Sequence, residues 1–182
     1  PPPESRFPGA YFSGAAPGGC SGPGSDTLRP TGSGFATDLT TCGCSDNWQC
    51  VDEVTPDDNS SYVRSAGTSW GTDLYETANP VDTACTITSV RVVARGRRST
   101  NGWSAELKVA LRTGGTTYEG PIEALTMSWT TYTEQWLTNP ATGSAWQWDE
   151  IRDIEIGVSL DASKANQPAR CTTVWLVVEY SS

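Results

Sequence analysis

An all-β fold, an antiparallel β-sandwich of jelly-roll or Greek-key type, is predicted by three features of the chain. These are regularly alternating segments after residue 60, a single short helical stretch, and six cysteines, four of them in a Gly/Pro-rich N-terminal segment. The clearest alternation is Trp103, Ala105, Leu107, Val109 and Leu111, with Ser104, Glu106, Lys108 and Arg112 between them. A period of two gives one buried and one wet face, so Trp103 is expected on the core side. Ile154, Ile156, Val158 and Leu160 repeat the pattern, and Val174, Leu176, Val178 and Tyr180 do so again. Cys85 to Arg95 and Thr130 to Leu137 read as further strands, the latter with Tyr132 and Trp136 on one side. Ser60–Ser65 and Thr116–Tyr118 are weaker ones. The only helical stretch is Ala145–Asp153, with Gly143–Ser144 offering its N-cap.

Residues 1–50 differ in kind. Pro1, Pro2, Pro3, Pro8, Pro17, Pro23 and Pro30 alternate with Gly and Ser, and apolar residues are too sparse for a core. Cys20, Cys42, Cys44 and Cys50 lie here, as do Phe7, Tyr11, Phe12 and Phe35. The division expected is therefore an irregular, disulfide-stapled arm over 1–50 and a sandwich domain over 51–182. The arm's aromatics suit docking, either on its own domain or on a neighbour. Phe7, Tyr11, Phe12, Phe35 and Trp175 are the candidate subunit contacts.

Twelve Lys+Arg against 21 Asp+Glu give a net charge of -9, which disfavours a nucleic-acid backbone or an anionic membrane as partner. No run approaches the roughly 18–20 apolar residues of a membrane span. The start at Pro1 reads as a processed or truncated N-terminus. Six cysteines without any histidine, and without paired C-x-x-C knuckles, point to disulfides and an oxidising compartment rather than to zinc. Cys85 and Cys171 each open a strand, and a bridge between them would contribute about 4 kcal/mol by loop-closure entropy. Cys20 would then pair with Cys42 or Cys44, and the remaining one with Cys50. Arg95, Arg97 and Arg98 form a local run read as a solvated hairpin tip.

Several phrases resemble a group of β-sandwich proteins encoded by bacteriophages and found in microbial surface or secreted proteins. They are Ser60–Ser65 with Gly71–Tyr75, Asn139-Pro-Ala-Thr-Gly-Ser-Ala-Trp146 leading into Ile156–Val158, and Ala169–Cys171 with the final strand Val174–Tyr180. The likeness covers about residues 51–182. It implies a virion or appendage component rather than an enzyme, although the cysteine-rich arm fits a secreted filament or surface subunit better than a particle built in a reducing cytoplasm.

The chemistry-bearing patterns are few. Trp148–Glu155 is acidic, but Glu150, Asp153 and Glu155 sit at i, i+3 and i+5 rather than at the i, i+2, i+4 spacing that lines a glycosidase cleft. Without histidine, and with Lys108 and Lys164 as the only lysines, hydrolase triads have no members, and no phosphate-cradling glycine loop occurs. No catalytic residue and no cofactor are expected. Asp52, Asp57, Asp58 and Asp73 form a weak calcium candidate, together with Glu53 and Asn59. Asn59-Ser-Ser also matches a glycosylation acceptor. Of eight tryptophans, Trp70, Trp129, Trp148 and Trp175 remain for a ligand once Trp103 and Trp136 are placed in the core. Trp146 and Trp148 do not both fit inward on one helical turn. The leading expectation is a structural subunit of an extracellular homopolymer, on a cell surface or a virion. The alternative is a secreted carbohydrate-binding or adhesion module.

Overall fold

A computed structural model describes residues 20, 22–80 and 84–182. In it the alternating segments become two packed antiparallel sheets. Among the described residues the order is β1 (Gly24–Leu28), β2 (Pro30–Thr37), β3 (Thr40–Cys42), a 3-10 turn (Asn47–Cys50), β4 (Tyr62–Arg64), β5 (Gly71–Thr77) and β6 (Thr86–Arg98). Then follow β7 (Ala105–Thr113), β8 (Thr116–Glu119), β9 (Glu123–Ala124), β10 (Thr130–Trp136), α1 (Trp148–Arg152), β11 (Glu155–Ala162) and β12 (Ala169–Ser181). One sheet, A, runs β10-β6-β12-β4-β3 with β1 also against β12. The other, B, runs β2-β5-β11-β7-β8 with β9 also against β7. Non-sequential neighbours such as β6 and β12 give the sandwich its crossed connections.

The inner faces are those the alternation selects. Leu107, Val109, Leu111, Ile156, Val158 and Leu160 from sheet B meet Val90, Val92, Val174, Leu176 and Val178 from sheet A, all buried. Each such side chain contributes about 1.5–3 kcal/mol relative to its exposed state. Gly157 is forced by proximity, since a Cβ there would lie 1.8 Å from the Asp73 carbonyl oxygen.

The distinctive Asn139–Trp146 phrase is a closed loop. Buried Asn139 accepts from the Ala141 N–H (2.8 Å) and donates to Thr113 Oγ1 (3.4 Å), while Gly143 takes a φ of 70° that favours glycine. Trp146 Nε1 donates to the Trp136 carbonyl at 3.1 Å. Trp146 precedes the helix, so it and Trp148 do not compete for one turn, and both pack against the core. The helix is shorter than Ala145–Asp153, and its cap is Gln147, whose N–H donates to Glu150 Oε2 at 2.8 Å.

Four expectations are corrected. Residues 24–42 supply β1, β2 and β3 to both sheets, so a boundary at residue 50 does not divide the fold. Trp103 lies in the turn before β7 and is 44% exposed, with Lys164 Nζ 4.4 Å from its ring centre. Arg95, Arg97 and Arg98 belong to β6, which runs on through them, and not to a hairpin tip. Cys85 is bonded to Cys20, with Cα atoms 4.8 Å apart, and Cys44 to Cys50, so the Cys85–Cys171 pair is not formed. Cys171 opens β12 facing the core, whereas Cys85 sits at the far end of the sheet before β6, beyond reach of one bridge.

Candidate functional site

The outer face of sheet B carries a set of polar and aromatic groups in mutual contact. The register places Thr72, Ser159 and Lys108 side by side on β5, β11 and β7, and Glu76, Glu155 and Arg112 likewise. Thr72 Oγ1 and Ser159 Oγ are 2.7 Å apart, and Ser159 Oγ donates to Glu119 Oε1. Lys108 Nζ reaches Glu119 Oε2 at 2.8 Å and stands 4.3 Å from the centre of the Trp70 ring. Burial pushes the Glu119 carboxyl up, but the hydrogen bonds from Lys108 and Ser159 and the lysine charge outweigh it and hold it below the usual range.

A second aromatic joins this face through an irregularity in β2. Ser33 pairs with Tyr75 but Thr37 with Asp73, so the intervening residues bulge over β5, where Gly34 leaves no room for a side chain against Leu74. The bulge sets Phe35, 72% exposed, over the sheet. Its N–H donates to Glu155 Oε2 at 2.9 Å, and the Arg112 guanidinium lies 4.0 Å from its ring centre. Phe35 is thus an exposed aromatic of the sheet face rather than of a loose arm. Alternation did not reveal it, because Gly32, Gly34 and Pro30 disguise β2 as linker.

At one end of this face opens a cleft of about 460 Å³, lined by Thr31, Glu76, Thr77, Asn79, Arg152, Asp153 and Glu155. Glu76 and Glu155 are direct cross-strand neighbours there. Asp149 pairs with Arg152 on α1. Asp149, Glu150 and Asp153 do belong to the short surface helix and its end.

The four candidate ligand tryptophans do not share a face. Trp70 directly precedes β5, with its ring beside Lys108 of sheet B, whereas Trp175 lies on the outer face of sheet A under the Arg29 guanidinium, 4.9 Å from the ring centre. That half-buries Trp175 beneath a residue of the N-terminal segment of its own chain. Trp148 packs edge-on against Tyr180 and donates Nε1 to the Cys85 carbonyl at 2.8 Å. Trp129 tilts against Tyr62 at 6.4 Å. Phe7, Tyr11 and Phe12 lie outside the described residues.

The calcium candidates disperse. Asp73 is buried on the inner face, accepting from Leu39 N (2.8 Å), Asn47 Nδ2 (2.5 Å) and Tyr75 Oη (3.0 Å). Burial pushes its carboxyl up, partly offset by those hydrogen bonds. Asp58 is held by Arg95 (2.7 Å), and Asp57 accepts from the Ser61 N–H (3.1 Å) and Oγ (2.9 Å). Asp52 stands near Arg29 with its carboxyl raised by burial. Among the described residues no three such groups converge on a metal position. Asn59 is exposed in the turn closed by Ser60 N to Asp57 O (3.2 Å). Cys42 and Cys171 are free thiols, and burial pushes Cys171 up to about 12. Among the described residues no helix is long and apolar enough to cross a membrane.

No protein-family profile matches the chain, and no curated protein does. Among solved structures, the chain is similar to the CBM22-1 xylan-binding domain of Xyn10C from Paenibacillus barcinonensis, with 12% identity over 89% of each chain and a TM-score of 0.43. It is also similar to the C-terminal CBM6 of LamC from Zobellia galactanivorans, with 9% identity, 85% of this chain, 99% of that one and a TM-score of 0.42. A third similarity is to the enzymatically active domain of bacteriophage CBA120 tailspike protein 4, with 12% identity, 83% of this chain, 19% of that one and a TM-score of 0.40. At these scores the functional reading rests on the chain's own residues.

Proposed function

We propose that this chain is a non-catalytic structural subunit of an extracellular assembly, a surface appendage, secreted filament or virion surface, joined to its neighbours through the N-terminal arm. The observation that carries the reading is where the arm is rooted. Cys20 is fastened to Cys85 beside β1, and among the described strands β1 pairs with β12 alone. Cys20, which follows the segment bearing Phe7, Tyr11 and Phe12 in the sequence, is therefore fixed beside an open sheet edge, and we infer that this segment supplies backbone hydrogen bonds and aromatic anchors to a neighbour. Such a contact is heterologous and propagates unless it closes into a ring. The disulfides suit an oxidising space. The absence of histidine from the sequence, and the engagement of Lys108 by Glu119 and of Lys164 by Trp103, support a non-catalytic role. Removing residues 1–19 tests it: assembly should stop while the sandwich stays folded.

A second reading is favoured by the outer face of sheet B. Trp70 and Phe35 offer apolar ring faces, and Thr72, Glu119, Ser159 and Glu155 offer hydroxyl-binding groups between them. Flat rings flanked by such groups fit the alternating apolar and hydroxyl faces of a neutral polysaccharide. Titration with soluble glycans, followed through tryptophan fluorescence, tests this reading.

A further inference from the structure

Arg64, Arg170 and Arg97 lie directly abreast on β4, β12 and β6. Val63 and Cys171, the residues next to Arg64 and Arg170, are buried, so the row projects from the outer face of sheet A. Like charges placed directly across strands repel, and a sheet normally answers such a row with carboxylates. Here the answers are aromatic. The Arg170 guanidinium stands 4.7 Å from the Tyr62 ring and that of Arg97 5.7 Å from the Trp129 ring. Among the described residues none of the three makes an ion pair, and the neighbouring Arg95 already holds Asp58. This happens in a chain with 21 acidic residues and a net charge of -9.

The acids gather elsewhere. Glu76 and Glu155 are also direct cross-strand neighbours, and with Asp153 they line the cleft at the start of β11. Arg152, on the same rim, is paired with Asp149, and Glu155 stands 3.9 Å from Arg112, which leaves Glu76 and Asp153 without an ion pair among the described residues. The arginine row sits where β6 turns into β7, at the other end of the strands and on the other sheet. Two complementary patches so placed cannot meet within one molecule, but they can meet between two.

We infer that the arginine row docks into the acidic cleft of a second copy of this chain, head to tail. The contact rests on the assembly reading above and adds a second element to the same subunit interface, one that strengthens and orients it beside the arm but does not hold the assembly without the arm. It sets the arginine row, whose charges repel one another, against Glu76 and Asp153, and this complementarity sets register and orientation. Because the two patches differ, the contact is heterologous and repeats along a line.

The test uses the full chain in sedimentation velocity across concentration and salt. Arg64→Glu with Arg97→Glu, and separately Glu76→Lys with Asp153→Lys, should each weaken association by at least about tenfold, a loss expected of a reversed charge at an interface. An equimolar mixture of the two variants should recover association, because each keeps the patch the other has lost. Raising salt from about 50 to 500 mM should weaken the wild type. If the double reversal disturbs the fold, Arg64→Gln, at an exposed position, provides the same comparison. Undiminished association in the variants, or a mixture no stronger than its components, overturns the docking while leaving arm-mediated assembly standing. A wild-type chain that stays monomeric at every concentration overturns both.

Discussion

Cys20 is joined to Cys85 across 65 residues of sequence, with their Cα atoms 4.8 Å apart. The bond ties the segment before β1 to the entrance of β6, the strand that shares the longest register with β12. A loop of that length implies about 4 kcal/mol from unfolded-state entropy. Replacing both cysteines with serine should lower unfolding stability by about that amount in denaturant titration. Cys42→Ser, at a free thiol, should change it little.

Three carboxyls, on Asp52, Glu53 and Asp73, are raised chiefly by burial. For each, the folded state holds its proton to higher pH than the unfolded state, so ν_N exceeds ν_U above the ordinary carboxylate range. Stability from these groups therefore falls as pH rises from about 4 through their folded values. Glu119, which is lowered, acts in the opposite sense, losing its contribution as pH falls through its folded value. Thermal unfolding should show a melting temperature higher near pH 5 than near pH 7. A monotonic rise over that interval would contradict the assignment.

Asn139 closes its loop with both ends of its amide. Asn139→Ala should cost about 1–3 kcal/mol, since a buried donor and acceptor lose their partners. Chemical denaturation reads this directly, and a change within about 0.5 kcal/mol would remove the loop from the stability account.

On the glycan reading, Trp70→Ala and Phe35→Ala should each weaken polysaccharide binding by about tenfold, while Trp175→Ala, on the opposite sheet, should leave it unchanged. Affinity electrophoresis through gels containing soluble polysaccharide separates these outcomes. Equal retention of all three variants would disconnect the sheet B face from any sugar.

Strands with strict alternation, such as those of Leu107–Leu111 and Ile156–Leu160, were legible because one face is core and the other water. β2 and β5 were not. β2 is an edge strand with glycines where its backbone crosses Leu74, and β5 carries Asp73 inward, where hydrogen bonding rather than apolarity permits burial. The same substitution of polar for apolar hid the arm's membership in the sheets. Trp103 extended the odd-numbered pattern one step ahead of the strand, which begins at Ala105, and periodicity has no means to mark where pairing starts. Phe35 and Trp70 stand beside Arg112 and Lys108 of the same strand only through a bulge and a strand order that local spacing does not encode. Of the arginine row only Arg97 was visible, as part of a run, because its other two members, Arg64 and Arg170, come from strands far apart in sequence.

The most direct measurement compares the full chain with one beginning at Cys20, by negative-stain microscopy and sedimentation on the same preparations. Cutting at Cys20 keeps β1, β2, β3 and the Cys20–Cys85 bond. The account predicts regular assemblies from the full chain and folded, non-assembling particles from the shortened one. A full chain that remains a monomer, or a shortened chain that assembles equally well, would contradict it.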